Sequence, residues 1–270
     1  MADYTPSPMA SRVIPIILFA MLLQLVLSCG AAKNGGPAPE KISRADRPCL
    51  VITNFKNITA AEKALKFQPW EYGLAAMLTT DLEEIGAFNI VDRERVRDIF
   101  AEQQLQQSGL VDQKTAVRLG RLVAAQYLLT GSFIEMKGEL RLSAQVFSVE
   151  KGVQLGATSI SGETKDFFLV EKKLFVKVIG FLEIMLSEED KTKIIGAVET
   201  QSIDASLKNY SGEIAMARAQ DLRKAGKRDE SVRLLREAKE RFSEALAFDP
   251  NYKRARKNLA TLATAIPLTL

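Results

Sequence analysis

Cys49-Leu50-Val51-Ile52-Thr53-Asn54-Phe55 is a short aliphatic and β-branched run. It has no alternation of polar and apolar positions, which is the pattern of a strand buried on both faces. Working outward, the residues up to 70 read as a polar loop, and the spacing of Leu74, Met77, Leu78, Leu82 and Ile85 predicts a helix over 70–85 that Gly86 stops. Residues 88–91 read as a second strand. Asp92 is placed to cap a helix that begins at Arg93 and turns Val96, Ile99 and Phe100 inward. Its polar continuation over 103–107 ends at Ser108-Gly109, Asp112 caps a further helix through Leu122, and 127–133 is a strand again. Met136-Lys137-Gly138 makes a tight turn into the period-two stretch 140–146, and Lys151-Gly152 turns into a strand over 154–162. A helix over 166–186 closes the series. The fold class is α/β: a mixed β-sheet packed with α-helices.

Beyond Ser187 the chain reads as helical throughout. Asp229-Glu230 opens a long helix with the stripe Val232, Leu235, Ala238, Phe242 and Ala245, and Asp249-Pro250 stops it. Tyr252, Ala255, Leu259 and Leu262 form the stripe of a last helix.

At the other end, residues 13–27 are apolar apart from Gln24, contain Pro15, and lead into Val26-Leu27-Ser28-Cys29. The run is shorter than the roughly 20 residues that a membrane-spanning helix needs, and it ends as an export signal does. That ending resembles the lipobox of bacterial lipoproteins, in which the cysteine receives diacylglycerol and becomes the first mature residue. The resemblance makes Cys29 the lipidation site. It divides the chain into a signal peptide over 1–28, a flexible Gly-, Ala- and Pro-rich tether over 29–47, an α/β domain over 48–187 and a helical module over 188–270. Gly30 and Ala31 lack the aspartate that retains many lipoproteins at the inner membrane, so the expected address is the outer membrane, periplasmic face. Cys49, the only other cysteine, then has no partner for an internal disulfide.

The 270 residues contain no histidine, which removes the commonest general base and metal ligand. No Gly-rich phosphate loop and no cysteine pair at zinc spacing is present. The expectation is a protein that is not an enzyme, with no cofactor, metal or small-molecule substrate. The net charge of +4 is local: residues 218–258 hold 13 Lys and Arg against 7 Asp and Glu. Export argues against a nucleic-acid partner.

The stretch from Leu50 to Leu186 resembles the CsgG family, the lipoproteins of curli fibre secretion and their shorter relatives. The likeness is carried by Leu50-Val51-Ile52, Gly73-Leu74-Ala75-Ala76-Met77-Leu78-Thr79-Thr80-Asp81-Leu82, Phe88-Asn89-Ile90-Val91-Asp92-Arg93, Ala124-Ala125-Gln126-Tyr127-Leu128-Leu129-Thr130-Gly131-Ser132 and Arg141-Leu142-Ser143-Ala144. In the pore-forming members two long hairpins build a membrane barrel, and the joints Met136-Lys137-Gly138 and Thr164-Lys165 are too short to supply them. The tail resembles a tetratricopeptide repeat, from the turn Ala225-Gly226-Lys227 to Asp249-Pro250 and on to Tyr252.

These resemblances imply a lipid-tethered adaptor or assembly factor for envelope proteins, with homo-oligomers possible. The alternatives are a subunit of a fibre export complex and an activator of a peptidoglycan synthase. Arg254, Arg256 and Lys257 are the candidate partner contacts, weighed against a solvated helix face. Asp92-Arg93 is read as a helix cap with a solvated arginine rather than as a partner contact. Cutting after Ser187 is expected to leave the first domain folded.

Overall fold

The computed structural model describes residues 46–102 and 112–265. The signal peptide, Cys29, all but the last two residues of the tether, and the helix continuation and break over 103–109 lie outside the described residues.

Six strands form one sheet: β1 (Cys49–Ile52), β2 (Lys56–Asn57), β3 (Asn89–Ile90), β4 (Tyr127–Met136), β5 (Glu139–Ser148) and β6 (Val153–Glu163). Their order is β3-β1-β4-β5-β6, with β2 pairing beside β1 on β4. β3, β1 and β4 run parallel, Leu50 lying opposite both Ile90 and Tyr127. β4, β5 and β6 are an antiparallel meander. The β4–β5 turn holds only Lys137 and Gly138, both left-handed at φ 55° and 88°. That conformation suits the right-handed twist of the flanking strands.

Helices α1 (Ala61–Phe67), α2 (Pro69–Ile85), α3 (Arg93–Glu102), α4 (Gln113–Leu122) and α5 (Phe167–Phe181) cover both faces. On one face Leu50, Ile52 and Phe133 meet Leu74, Leu78 and Phe175, and Trp70 stacks on Phe167 with ring centroids 3.8 Å apart. On the other, Val51, Leu128 and Phe147 meet Val96, Ala116 and Leu119. Gly86 closes α2 in the left-handed region at φ 69°, as its place after the apolar stripe implies. Asp92 and Asp112 cap α3 and α4 through backbone amides of the first turn.

Two expectations about element bounds are corrected. The polar loop before residue 70 contains β2 and α1. α1 buries only Phe67, which stacks on Trp70, so seven residues leave no periodic stripe to read. The helix expected over 166–186 ends at Phe181 because Glu183 turns left-handed (φ 58°). The amides of Glu183 and Ile184 then reach back to the carbonyls of Gly180 and Ile179, a Schellman-type closure.

The tail comprises α6 (Glu188–Gly196), α7 (Ile203–Lys224), α8 (Arg228–Phe248) and α9 (Lys253–Ala265). A Ser187–Asp190 capping box starts α6. α7 and α8 form a hairpin around Gly226, and a Cβ on Gly212 would come within 2.5 Å of the Phe242 ring, so their backbones approach closely. α7 also lies on α2. Gly73 leaves room for the Tyr210 ring, which a Cβ would meet at 2.5 Å, and the Trp70 indole donates to Ser206 Oγ at 3.1 Å. Leu207 and Tyr210 belong to the main core, and the described residues form one compact unit. A cut after Ser187 would thus remove Leu207 and Tyr210 from the core over Trp70 and Gly73.

Candidate functional site

β1 and β3 are neighbours whose connections leave in opposite directions. After β1 the chain turns to α1 and α2 on one face; after β3 it enters α3 on the other. A parallel sheet opens a crevice at such a switch point, outside the carboxyl ends of the strands. Here Thr53 and Asn54 end one strand and Val91, Asp92 and Arg93 the other, and α7 of the tail adds the facing wall with Ser211, Ile214 and Asp221. The space enclosed is about 860 Å³.

Its floor is built around Arg93. The guanidinium carbon sits 3.7 Å from the centroid of the Tyr72 ring, Nη2 donates to Asn54 Oδ1 at 2.7 Å and Nη1 to the Tyr72 carbonyl at 3.3 Å. Burial lowers its pKa, the phenol of Tyr72 opposing the shift, but a guanidinium stays charged in a protein. Burial likewise raises Tyr72 against the pull of Arg93. Among the described residues no carboxylate lies within 4 Å of the Arg93 nitrogens. The reading of Arg93 as solvated is thus corrected, while Asp92 does cap the helix. The contact that takes Arg93 inward comes from Asn54, 39 positions earlier, a separation invisible to local pattern.

Ion pairs tie α3 to α7 at one end of the crevice: Arg97 with Asp221 at 2.7 Å, and Lys224 with Glu94 and Asp98. These groups are part-exposed, so each contributes little individually.

Behind the floor, Arg254 donates Nε to Glu213 at 2.8 Å and Nη1 to Thr80 Oγ1 at 3.0 Å, with Glu199 at 3.5 Å. Asn209 and Asn258 also donate to the same Glu213 oxygen. Burial works against the Arg254 charge, but Glu213, Tyr210 and Glu199 together more than compensate and its pKa is raised. Of the candidate contacts, Arg254 therefore joins α9 to α7 and α2 from within, Arg256 is exposed and donates to the Pro250 carbonyl at 2.6 Å, and Lys257 is exposed. The structure does not bring the three onto one surface.

A second polar cluster lies under the same junction. Lys172 Nζ contacts both Asp81 oxygens at 2.6 and 2.7 Å and stands 3.6 Å from Glu171. Glu171 is fully buried and neither of its oxygens is hydrogen-bonded. Burial, reinforced by Asp81 and opposed by Lys172, pushes its carboxyl up to about 8. Neither Tyr72 nor this cluster carries a sequence signal, since each sits within a helix dominated by its apolar stripe. Among the described residues no group of three His, Cys, Asp or Glu is arranged to hold a metal.

The model of the family described as curli production assembly/transport component CsgG matches residues 40–157, the family that the sequence motifs resemble. No curated protein sequence matches the chain. Solved structures to which the chain shows similarity include the LpoB C-terminal domain from Salmonella enterica, 20% identical, over 43% of this chain and 83% of that one at a TM-score of 0.32. Lipoprotein GNA1162 from Neisseria meningitidis is 12% identical over 51% and 99% at 0.35. The PelC dodecamer from Paraburkholderia phytofirmans is 14% identical over 54% and 94% at 0.32.

Proposed function

We propose that this chain, with a CsgG-type match over residues 40–157, is a non-enzymatic adaptor or assembly factor for envelope machinery. In this reading it is held to the bacterial outer membrane by lipid on Cys29 and faces the periplasm. The observation that carries the reading is the crevice: a space of about 860 Å³ walled jointly by the α/β domain and the tail. It joins two otherwise different modules into one docking surface of a size that accepts side chains from a partner. The lipobox ending at Cys29 supports the location.

Fibre export is the weaker alternative. A barrel-spanning strand takes about 9–11 residues, whereas β4 and β5 are joined by Lys137 and Gly138, and β6 leads into α5 through the short turn Thr164–Asp166. Activation of a cell-wall synthase is one form that an adaptor role can take and uses the same docking surface.

Placing a photo-crosslinking residue at Ser211, inside the crevice, tests the reading in the native cell. The expected result is a discrete adduct with an envelope protein, lost when Cys29→Ala releases the chain from the membrane. No adduct from Ser211 together with one from Lys257 would move the partner surface to the exposed face of α9 and overturn it.

A further inference from the structure

The chemistry at the bottom of the crevice narrows what enters it. We propose that the crevice is a carboxylate-binding site in which Arg93 receives a carboxylate of a partner peptide; this rests on the docking reading above and names its chemistry.

A guanidinium has five N–H donors in a planar fork. Those on Arg93 make two hydrogen bonds, to Asn54 Oδ1 and the Tyr72 carbonyl, both neutral acceptors. Arg93 is half-buried, and a partly desolvated cation is favoured by an anion in contact; the described residues place none within 4 Å of its nitrogens. Most carboxylates near it have partners of their own, Glu94 among them through Lys224, while Glu83 lies exposed on the crevice lining. Asp92 Oδ1 takes the amides of Glu94 and Arg95, and Glu71 takes the Asn57 amide. Glu213 is held by Arg254, Asn209 and Asn258, and Asp221 by Arg97. The Tyr72 ring covers one face of the guanidinium and fixes its plane, so the fork is set before a ligand arrives. A planar carboxylate matches such a fork through two parallel charge-assisted hydrogen bonds. Apolar side chains of Leu65, Pro69, Ile214 and Leu234 line the same crevice, which suits the flanking residues of a peptide rather than a bare ion.

The carboxylate can come from a chain terminus or from an acidic side chain, and one titration separates them. The lipidated chain in detergent, with arginine labelled in 15N, reports through the Arg93 guanidinium resonance, identified by its loss in Arg93→Lys. Three probes are added: acetyl-Ala-Ala-Ala with a free carboxylate, its C-terminal amide, and acetyl-Ala-Glu-Ala amide. Saturable movement with the free acid alone assigns a terminal carboxylate, with the glutamyl peptide alone an acidic side chain, and with both a carboxylate from either source. The neutral amide should leave the resonance in place. Asn54→Ala, which keeps the charge but frees the fork, should weaken binding by about tenfold. No movement with either acid, or equal movement with the neutral amide, overturns the proposal. If the Ser211 adduct persists while the titration is flat, docking stands and the carboxylate chemistry fails; if the adduct is absent as well, both fail.

Discussion

Glu171 holds a fully buried carboxyl without a hydrogen bond beside a lysine already committed to Asp81. A folded-state value of about 8 against an ordinary 4.5 means that the folded protein keeps a proton there which the unfolded chain releases. Stability from this group is therefore fully present below about pH 4.5 and is lost as pH rises towards 8. Asp81, also raised by burial, acts in the same sense. Glu171→Gln should leave the melting temperature at pH 5 nearly unchanged and raise it at pH 8.5 relative to the parent. Parallel melting curves for the two proteins across that range would contradict the assignment. At this scale little was legible in the sequence. Arg254, Arg256 and Lys257 are neighbours in one basic run, yet Arg254 points to Glu213 and Thr80 while the other two are exposed. What separates them is a set of partners from 41 to 174 positions away.

The elements that sequence periodicity captured are those with a wide apolar face. α2 buries Leu74, Met77, Leu78 and Leu82, and β5 alternates between exposed and buried positions over most of its length. α7 escaped delimitation for a physical reason: its buried residues are mostly small or polar, including Ala205, Ser206, Asn209, Gly212, Ala215 and Ala219. Such residues serve close approach rather than an apolar stripe. The contact at Gly73 tests this. Gly73→Ala puts a Cβ 2.5 Å from the Tyr210 ring, and overpacking of that kind destabilises by about 1–3 kcal/mol. The helix propensity gained by alanine offsets up to about 1 kcal/mol. A lowered denaturation midpoint is the expected outcome, while an unchanged or raised midpoint would mean that α7 does not lie against α2 as described.

For the whole molecule, the sequence separates an α/β domain from a helical tail, because the tail follows the last strand and has its own stripes. The fold joins them through contacts that no stripe announces: Tyr210 in the main core, Trp70 bonded to Ser206, Arg254 bonded to Thr80, and the ion pairs between α3 and α7. The crevice exists only because of that union, since one wall belongs to each part.

Native-state hydrogen exchange on the full chain measures this most directly, by comparing the amides of α2 around Leu74–Leu82 with those of α7 around Ala205–Ala215 as denaturant is raised. Helices that share a core open together, so both sets should converge on one opening free energy with one denaturant dependence. Exchange of α7, α8 and α9 through a separate, lower-energy opening that leaves α2 protected would contradict the account, because the tail would then be a detachable module and the crevice only a seam between two bodies.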